Sequence, residues 1–356
     1  MSAGTVLSNG RATDPASLGA VARGRRRRRT RRATVLLLLV ALLVGVYAIS
    51  LMVGNTFYGP GEVWAVLRGE TVPGASFTVG ELRLPRSTLA VLTGAAFGLG
   101  GVTFQTMLRN PLASPDIIGI SSGASAAAVV GIVVLELGAA QVSLLAIVAA
   151  LATAMMIYLL AYRDGVVGTR LILIGIGVAA MLDSVVAYVL MRSAVLDVQA
   201  AMRWLSGSLN NASWDEIRPL SVAMLVAVPV LLGQARGLAL LQQGDDSATA
   251  LGVRVERTRV VAILAAVVLI SFATAAAGPI AFVAFLSGPI AARIIGGGAS
   301  LMVPAALVGA LLVLSADLVG QFAFDNRYPV GVITGALGAP FLLYLLVRTN
   351  RAGGSL

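Results

Sequence analysis

The chain of 356 residues has no cysteine, no histidine and no lysine. Without cysteine there is no disulfide and no thiolate to hold zinc or an iron–sulfur cluster. Without histidine the commonest general base, haem ligand and zinc ligand is missing as well. Membrane proteases of the Ser–His or His-ligated zinc type are therefore excluded, and any metal this chain handles must arrive already chelated. The lack of lysine rules out a G-x-x-x-x-G-K-[ST] phosphate loop, so ATP, if it powers the protein, binds on another subunit. No carboxylate pair or nucleophile–base arrangement stands out, so the chain is not expected to be an enzyme, and no cofactor or metal site is expected. Charge is scarce too. Only 12% of residues are charged and 58% are apolar, against about 25% and about 45–50% in soluble domains.

What is present is long apolar helix. A bilayer core takes about 20 apolar residues as helix, and the sequence predicts ten such spans, at 33–53, 87–107, 116–135, 142–162, 171–191, 219–235, 260–277, 279–295, 301–320 and 329–347. The fold class is an all-α polytopic membrane protein. The net charge of +10 is carried by arginine alone, and "RRRRR" at 25–29 with Arg23, Arg31 and Arg32 abuts the first span. That placement marks a cytoplasmic flank touching anionic lipid, not a nucleic-acid site. Residues 1–32 are expected to be a disordered basic tail and 351–356 a short one. An even span count puts both termini in the cytoplasm, with nineteen of the 26 arginines on that side, as the positive-inside rule requires.

Small residues in "TGAAFGLGG", namely Gly94, Gly98, Gly100 and Gly101, predict close helix packing. Outside, residues 193–218 carry Trp204 and Trp214 and include "AMRWLSGSL", a short helix dipping back into the protein. On the cytoplasmic side, 236–259 holds a short capped helix. Gly244 precedes Asp245 and Asp246 at its start, Ala248 and Leu251 are apolar positions within it, and Gly252 ends it. A partly apolar capped helix between spans reads as a docking element. The stretch "LRNPLASPDIIGISSGAS" (108–125) breaks the apolar pattern with Pro111, Pro115 and Asp116. Two carboxylates fall at membrane depth, Asp183 and Asp317, neither with an evident basic partner in the membrane, and such groups mark ion paths in secondary transporters.

These segments together resemble one family. "LRLPRSTLAVLTGAAFGLGGVTFQTMLRNPLASPDIIGISSGAS" (82–125), "ALGVRVERTR" (250–259), "AGPIAFVAFLSGPIAARIIG" (277–296) and "PVGVITGALGAPFLLYLL" (329–346) are similar, in order, to the ABC importer permeases for iron–siderophores, haem and vitamin B12. The resemblance covers about 33–350 and implies a vitamin B12 importer permease-like fold of ten helices in the bacterial plasma (inner) membrane. It implies a pore between two permease subunits, a cytoplasmic ABC ATPase dimer and an extracytoplasmic substrate-binding protein. Asn110 and Leu112 match a cytoplasmic constriction, and Gly168 and Thr169 a second pore-lining turn. Arg83 and Arg86 match arginines that meet the binding protein, and Asp245 through Val253 the ATPase-coupling loop.

Two departures stand out: Ser287, Gly288, Pro289 and Ile290 replace a segment that often carries Pro-His, and Gln321 replaces an arginine. The second hints at a heterodimer with another permease. The function implied is inward movement of a ferric siderophore by alternating access. Cobalamin or haem is the alternative cargo, and an ion-coupled transporter using Asp183 or Asp317 the alternative class.

Overall fold

The computed structural model describes residues 15–116, 119–162, 168–296 and 300–351. Thirteen α-helices and one π-helical segment make up its regular structure, with no strand among the described residues. In order they are α1 (Pro15–Met52), α2 (Pro60–Leu67), the π-helix (Ser76–Arg83), α3 (Leu84–Met107), α4 (Ile120–Val133), α5 (Ala139–Ala161) and α6 (Gly168–Met191). After them come α7 (Val195–Leu205), α8 (Trp214–Leu241), α9 (Asp245–Ala250), α10 (Val255–Ala277), α11 (Val283–Ile295), α12 (Met302–Phe322) and α13 (Val330–Arg351). Seven helical stretches are long and apolar enough to cross a membrane, and α4, α11 and α13 are shorter apolar helices. These ten correspond one for one to the predicted spans.

Three boundaries differ from expectation. α1 begins at Pro15, so among the described residues the arginine cluster is helical rather than disordered, and Arg32 donates to the Ser300 carbonyl (3.0 Å) before α12. Residues 1–14 and 352–356 of the two expected tails lie outside the described residues. α8 runs on to Leu241, which shortens the cytoplasmic loop that was read from residue 236. The second span starts earlier than residue 87, since the π-helix runs straight into α3. The short helix α2 was not anticipated either. Its signal was nevertheless in the sequence: Pro60 stands at a first-turn position, and the Glu62 carboxylate takes the Gly59 N–H (2.7 Å).

α3 is the axis of the bundle, packed against α8, α10, α11 and α12, while α4 lies between α5 and α6. Phe97 and Phe104 of α3 and Leu269 and Ile270 of α10 are fully buried. The approach of α3 to α12 is backbone to backbone. A Cβ on Gly94 would meet the Gly309 carbonyl, one on Gly98 the Ala305 carbonyl, and one on Gly101 the Ala284 carbonyl of α11. In lipid the hydrophobic effect does not hold helices together, so such close dispersion contact must. Beyond α6, α7 dips back as predicted: Ser208 N–H donates to the Ala277 carbonyl (2.7 Å) and Gly331 N–H to the Gly207 carbonyl (3.1 Å). Gly278, at φ +71°, breaks α10 from α11 under the Trp204 carbonyl, where a side chain would collide.

Candidate coupling and gating site

The interruption at 108–125 is a stack of three turn devices. α3 ends in a Schellman motif, with the Arg109 N–H on the Thr106 carbonyl (3.4 Å) and the Asn110 N–H on the Gln105 carbonyl (3.1 Å). The left-handed position of that motif, usually glycine, is taken by Arg109 at φ +52°, which costs about 1–2 kcal/mol in an L-residue. The Asn110 side chain then accepts the Leu112 N–H (2.9 Å), and Pro111 presets the turn that the Ala113 N–H closes onto the Asn110 carbonyl (3.1 Å). Asp116 follows, its carboxyl accepting the Ser121 hydroxyl (2.6 Å) at the start of α4. Burial pushes the Asp116 carboxyl above its ordinary range, and the Ser121 hydroxyl opposes that shift.

Arg109 explains why its strained position persists. Its Nε donates to the Leu241 carbonyl that ends α8 (2.8 Å), and its Nη2 pairs with Asp245, the first residue of α9. Asp245 also takes Arg259 of α10 at 2.8 and 3.0 Å. One carboxylate thus holds two guanidiniums, one from the turn after α3 and one from α10. α9 itself ends in a second Schellman motif, with Gly252 at φ +84° and the Val253 N–H on the Ala248 carbonyl (3.0 Å). Ala248 is buried beneath it, Val253 packs on the core, and Asp246 and Leu251 face out, Leu251 60% exposed. All six predicted coupling residues therefore form one capped unit with a buried underside and an exposed apolar knob.

The predicted gate residues are only partly brought together. Asn110 lines a cavity of about 250 Å³ with Gln105, Arg109, Gln242 and Gly288, so it shares a wall with the connector to α9. Gly288 must lack a side chain there, because a Cβ would strike Gln105 Oε1, and Gln105 Nε2 donates to the Phe285 carbonyl (2.9 Å). Leu112 packs against Phe285, Leu286 and Leu345. Gly168 and Thr169 open α6, Thr169 exposed, and no hydrogen bond among the described residues joins them to Asn110 or Leu112.

For Arg83, Arg86 and Asp317 the structure shows contacts that the sequence did not reveal. Arg86 forks onto Asp317 (Nε to Oδ2 2.9 Å, Nη2 to Oδ1 2.7 Å), Nη1 reaches Asn210 (2.9 Å), and Gln321 adds a donor to Asp317 (2.6 Å). Asp317 thus has a basic partner at membrane depth, on a residue 231 positions away. Arg83 caps the end of α1 through the Leu51, Met52 and Thr56 carbonyls (2.9, 2.8 and 2.6 Å) and lies over the Tyr58 ring. Both arginines expected to meet a binding protein make these bonds within the chain. Asp183 is the opposite case, exposed in the middle of α6 with no hydrogen-bond or ion-pair partner among the described residues.

Ten apolar helices with α3 buried at their axis, and a short helix, α9, braced against the turn that follows α3, define a multi-pass membrane protein. The chain belongs to the FecCD transport family, whose model matches residues 38–348. It is 42% identical over 294 residues to the ferric enterobactin transport system permease protein FepG of Escherichia coli K12, covering 82% of this chain and 88% of that one. It is likewise 42% identical over 311 residues to the achromobactin transport system permease protein CbrC of Dickeya dadantii 3937, covering 86% and 89%. A solved metal-chelate type ABC transporter in an inward-facing conformation superposes with a TM-score of 0.80 at 26% identity, over 89% of this chain and 99% of that one.

Proposed function

We propose that this chain is the permease subunit of an ATP-driven importer that moves ferric siderophores inward across a bacterial plasma membrane, with both termini in the cytoplasm. ATP binds and is hydrolysed on a pair of ABC ATPases that grip α9. The observation that carries this reading is the geometry of α9. A free-standing loop would have no reason to be capped at its end, bolted by Asp245 to two other elements and topped by an exposed leucine. Relatives named for enterobactin, achromobactin and iron(3+)-hydroxamate support a siderophore cargo.

The pore lies between this chain and a second, similar permease. Only 11% of the apolar window of α6 is buried within the chain, and that bare face carries Asp183. A carboxylate facing hydrocarbon costs several kcal/mol, so this face belongs against a partner or a water-filled path. An extracytoplasmic binding protein delivers the chelate to an outer surface that Arg83 and Arg86 brace from beneath. The turn at Asn110 and Leu112 closes behind the cargo, with Gly168 and Thr169 lining the path. The ion-coupled alternative loses Asp317, whose charge is already matched by Arg86.

Affinity purification of the tagged chain from native membranes, followed by mass spectrometry, tests the assembly. An ABC ATPase and a second permease are the expected companions, and Leu251→Asp should release the ATPase while leaving the permeases paired. A chain that purifies alone, with ATP-independent uptake, would end this reading.

A further inference from the structure

Most of what holds α9 is local. Arg259 lies 14 positions from Asp245, only 15% of its side chain is exposed, and it would pin α9 to α10 without help. Arg109 is a different kind of contact. It comes from 136 positions away, sits in a backbone conformation that glycine adopts more cheaply, and leaves 41% of its side chain exposed. The same side chain holds the last carbonyl of α8, and the next residue, Asn110, builds the turn that carries Leu112. A turn needing only to end α3 would be served by glycine at 109, with no strain. The arginine adds a rigid tie between α9 and the gate turn.

We propose that Arg109 and Asp245 are the positioning residues through which displacement of α9 moves the gate turn, with Arg259 as the fixed pivot. The planar guanidinium suits this role, because its Nε and Nη2 hold two acceptors on different elements at once. When α9 shifts, Asp245 stays on its buried anchor Arg259 and drags or releases Arg109, and the 109–113 turn follows. The tie rests on the reading of α9 as the ATPase contact, and its test separates the two.

The chain has no cysteine, so single cysteines report cleanly. Ser247→Cys, exposed on α9, reads the ATPase contact, and Leu112→Cys reads the gate turn. Each is placed in the assembled importer, and its labelling rate by a small maleimide is measured with and without ATP plus vanadate. Both rates should respond, by about tenfold at the gate turn, within the range of coupling between distant sites. With Arg109→Ala added, Ser247→Cys should still respond while Leu112→Cys should not, and Arg109→Lys should recover part of the gate response.

If Leu112→Cys responds unchanged beside Arg109→Ala, the tie is not the route and the proposal falls while the docking reading stands. If Ser247→Cys is silent to nucleotide in the otherwise native chain, the docking reading itself fails and takes the proposal with it. If Arg109→Ala loses the ATPase, Asp245→Asn and Arg109→Lys are read in its place, and loss of the ATPase in all three makes the pair a folding contact and overturns the proposal.

Discussion

Single residues decide whether the carboxylates of this chain are chemistry or structure. Asp317 is 5% exposed as a side chain and its oxygens are filled by Arg86 and Gln321. Removing one partner of such a pair strands the other charge, at a cost of about 3–5 kcal/mol, whereas replacing both with apolar residues is often nearly neutral. Arg86→Gln and Asp317→Asn should each lower the unfolding midpoint in detergent by several degrees, and Arg86→Met with Asp317→Leu should lose less than the two singles together.

Asp116 gives a pH signature. Its carboxyl lies ahead of α4, which starts at Ile120 and not at residue 116 where the span was expected, and burial holds it above the ordinary range. The folded chain then keeps that proton more tightly than the denatured one, so stability falls as pH rises from the ordinary carboxylate range through the folded value. Asp116→Asn should flatten the fall in unfolding midpoint as pH rises above the ordinary carboxylate range. The Arg86–Asp317 pair was illegible in the sequence, because nothing local marks a contact between residues 231 positions apart. Gln321, one helical turn beyond Asp317, was noticed only as a missing arginine; the amide donates to the same carboxylate that Arg86 already neutralises.

Helices were legible where composition alone sets them. The ten apolar segments stand out because a bilayer demands length and hydrophobicity of each one independently. The glycines of α3 could also be read as a packing face, since Gly94 and Gly98 repeat at one helical turn. Their partner could not, because Gly309 and Ala305 lie on α12, more than two hundred residues on. The structure also separates glycines that look alike in sequence. Gly98→Ala would drive a methyl into the Ala305 carbonyl, and Gly101→Ala into the Ala284 carbonyl, where backbone must move. Gly100→Ala meets the Cδ1 and Cγ1 atoms of Ile270, a buried side chain and not backbone. The first two should cost about 1–3 kcal/mol as overpacking and reduce the yield of folded protein, while Gly100→Ala should cost less than either, read as a smaller drop in unfolding midpoint. α2 and the π-helix were missed for the converse reason: they are short, lie between glycine- and proline-rich turns, and owe their form to packing of Val63 and Val79 on Leu51.

At the scale of the whole molecule two surfaces remain unsatisfied. One is the bare face of α6 with Asp183, and the other is the knob of α9 with Leu251. The first asks for a partner in the membrane and the second for a partner outside it. The short helix α9 was legible because its caps and its unusual place between spans are local facts, whereas the ion-pair tie to Arg109 is a product of the fold. A neutral Asp183→Asn chain should still transport if the energy enters through α9, and should fail if an ion gradient drives the protein through that carboxylate.

The central claim, that ATP hydrolysis drives cargo through this chain by way of α9, is tested most directly by uptake into proteoliposomes holding the complete importer. Radiolabelled ferric enterobactin, ferric achromobactin and a ferric hydroxamate siderophore serve as probes, with the binding protein outside and ATP inside. The account predicts uptake of at least one chelate that requires ATP, survives collapse of every ion gradient, and stops with Leu251→Asp. Uptake that persists without ATP, or that collapses with the ion gradient, would contradict it.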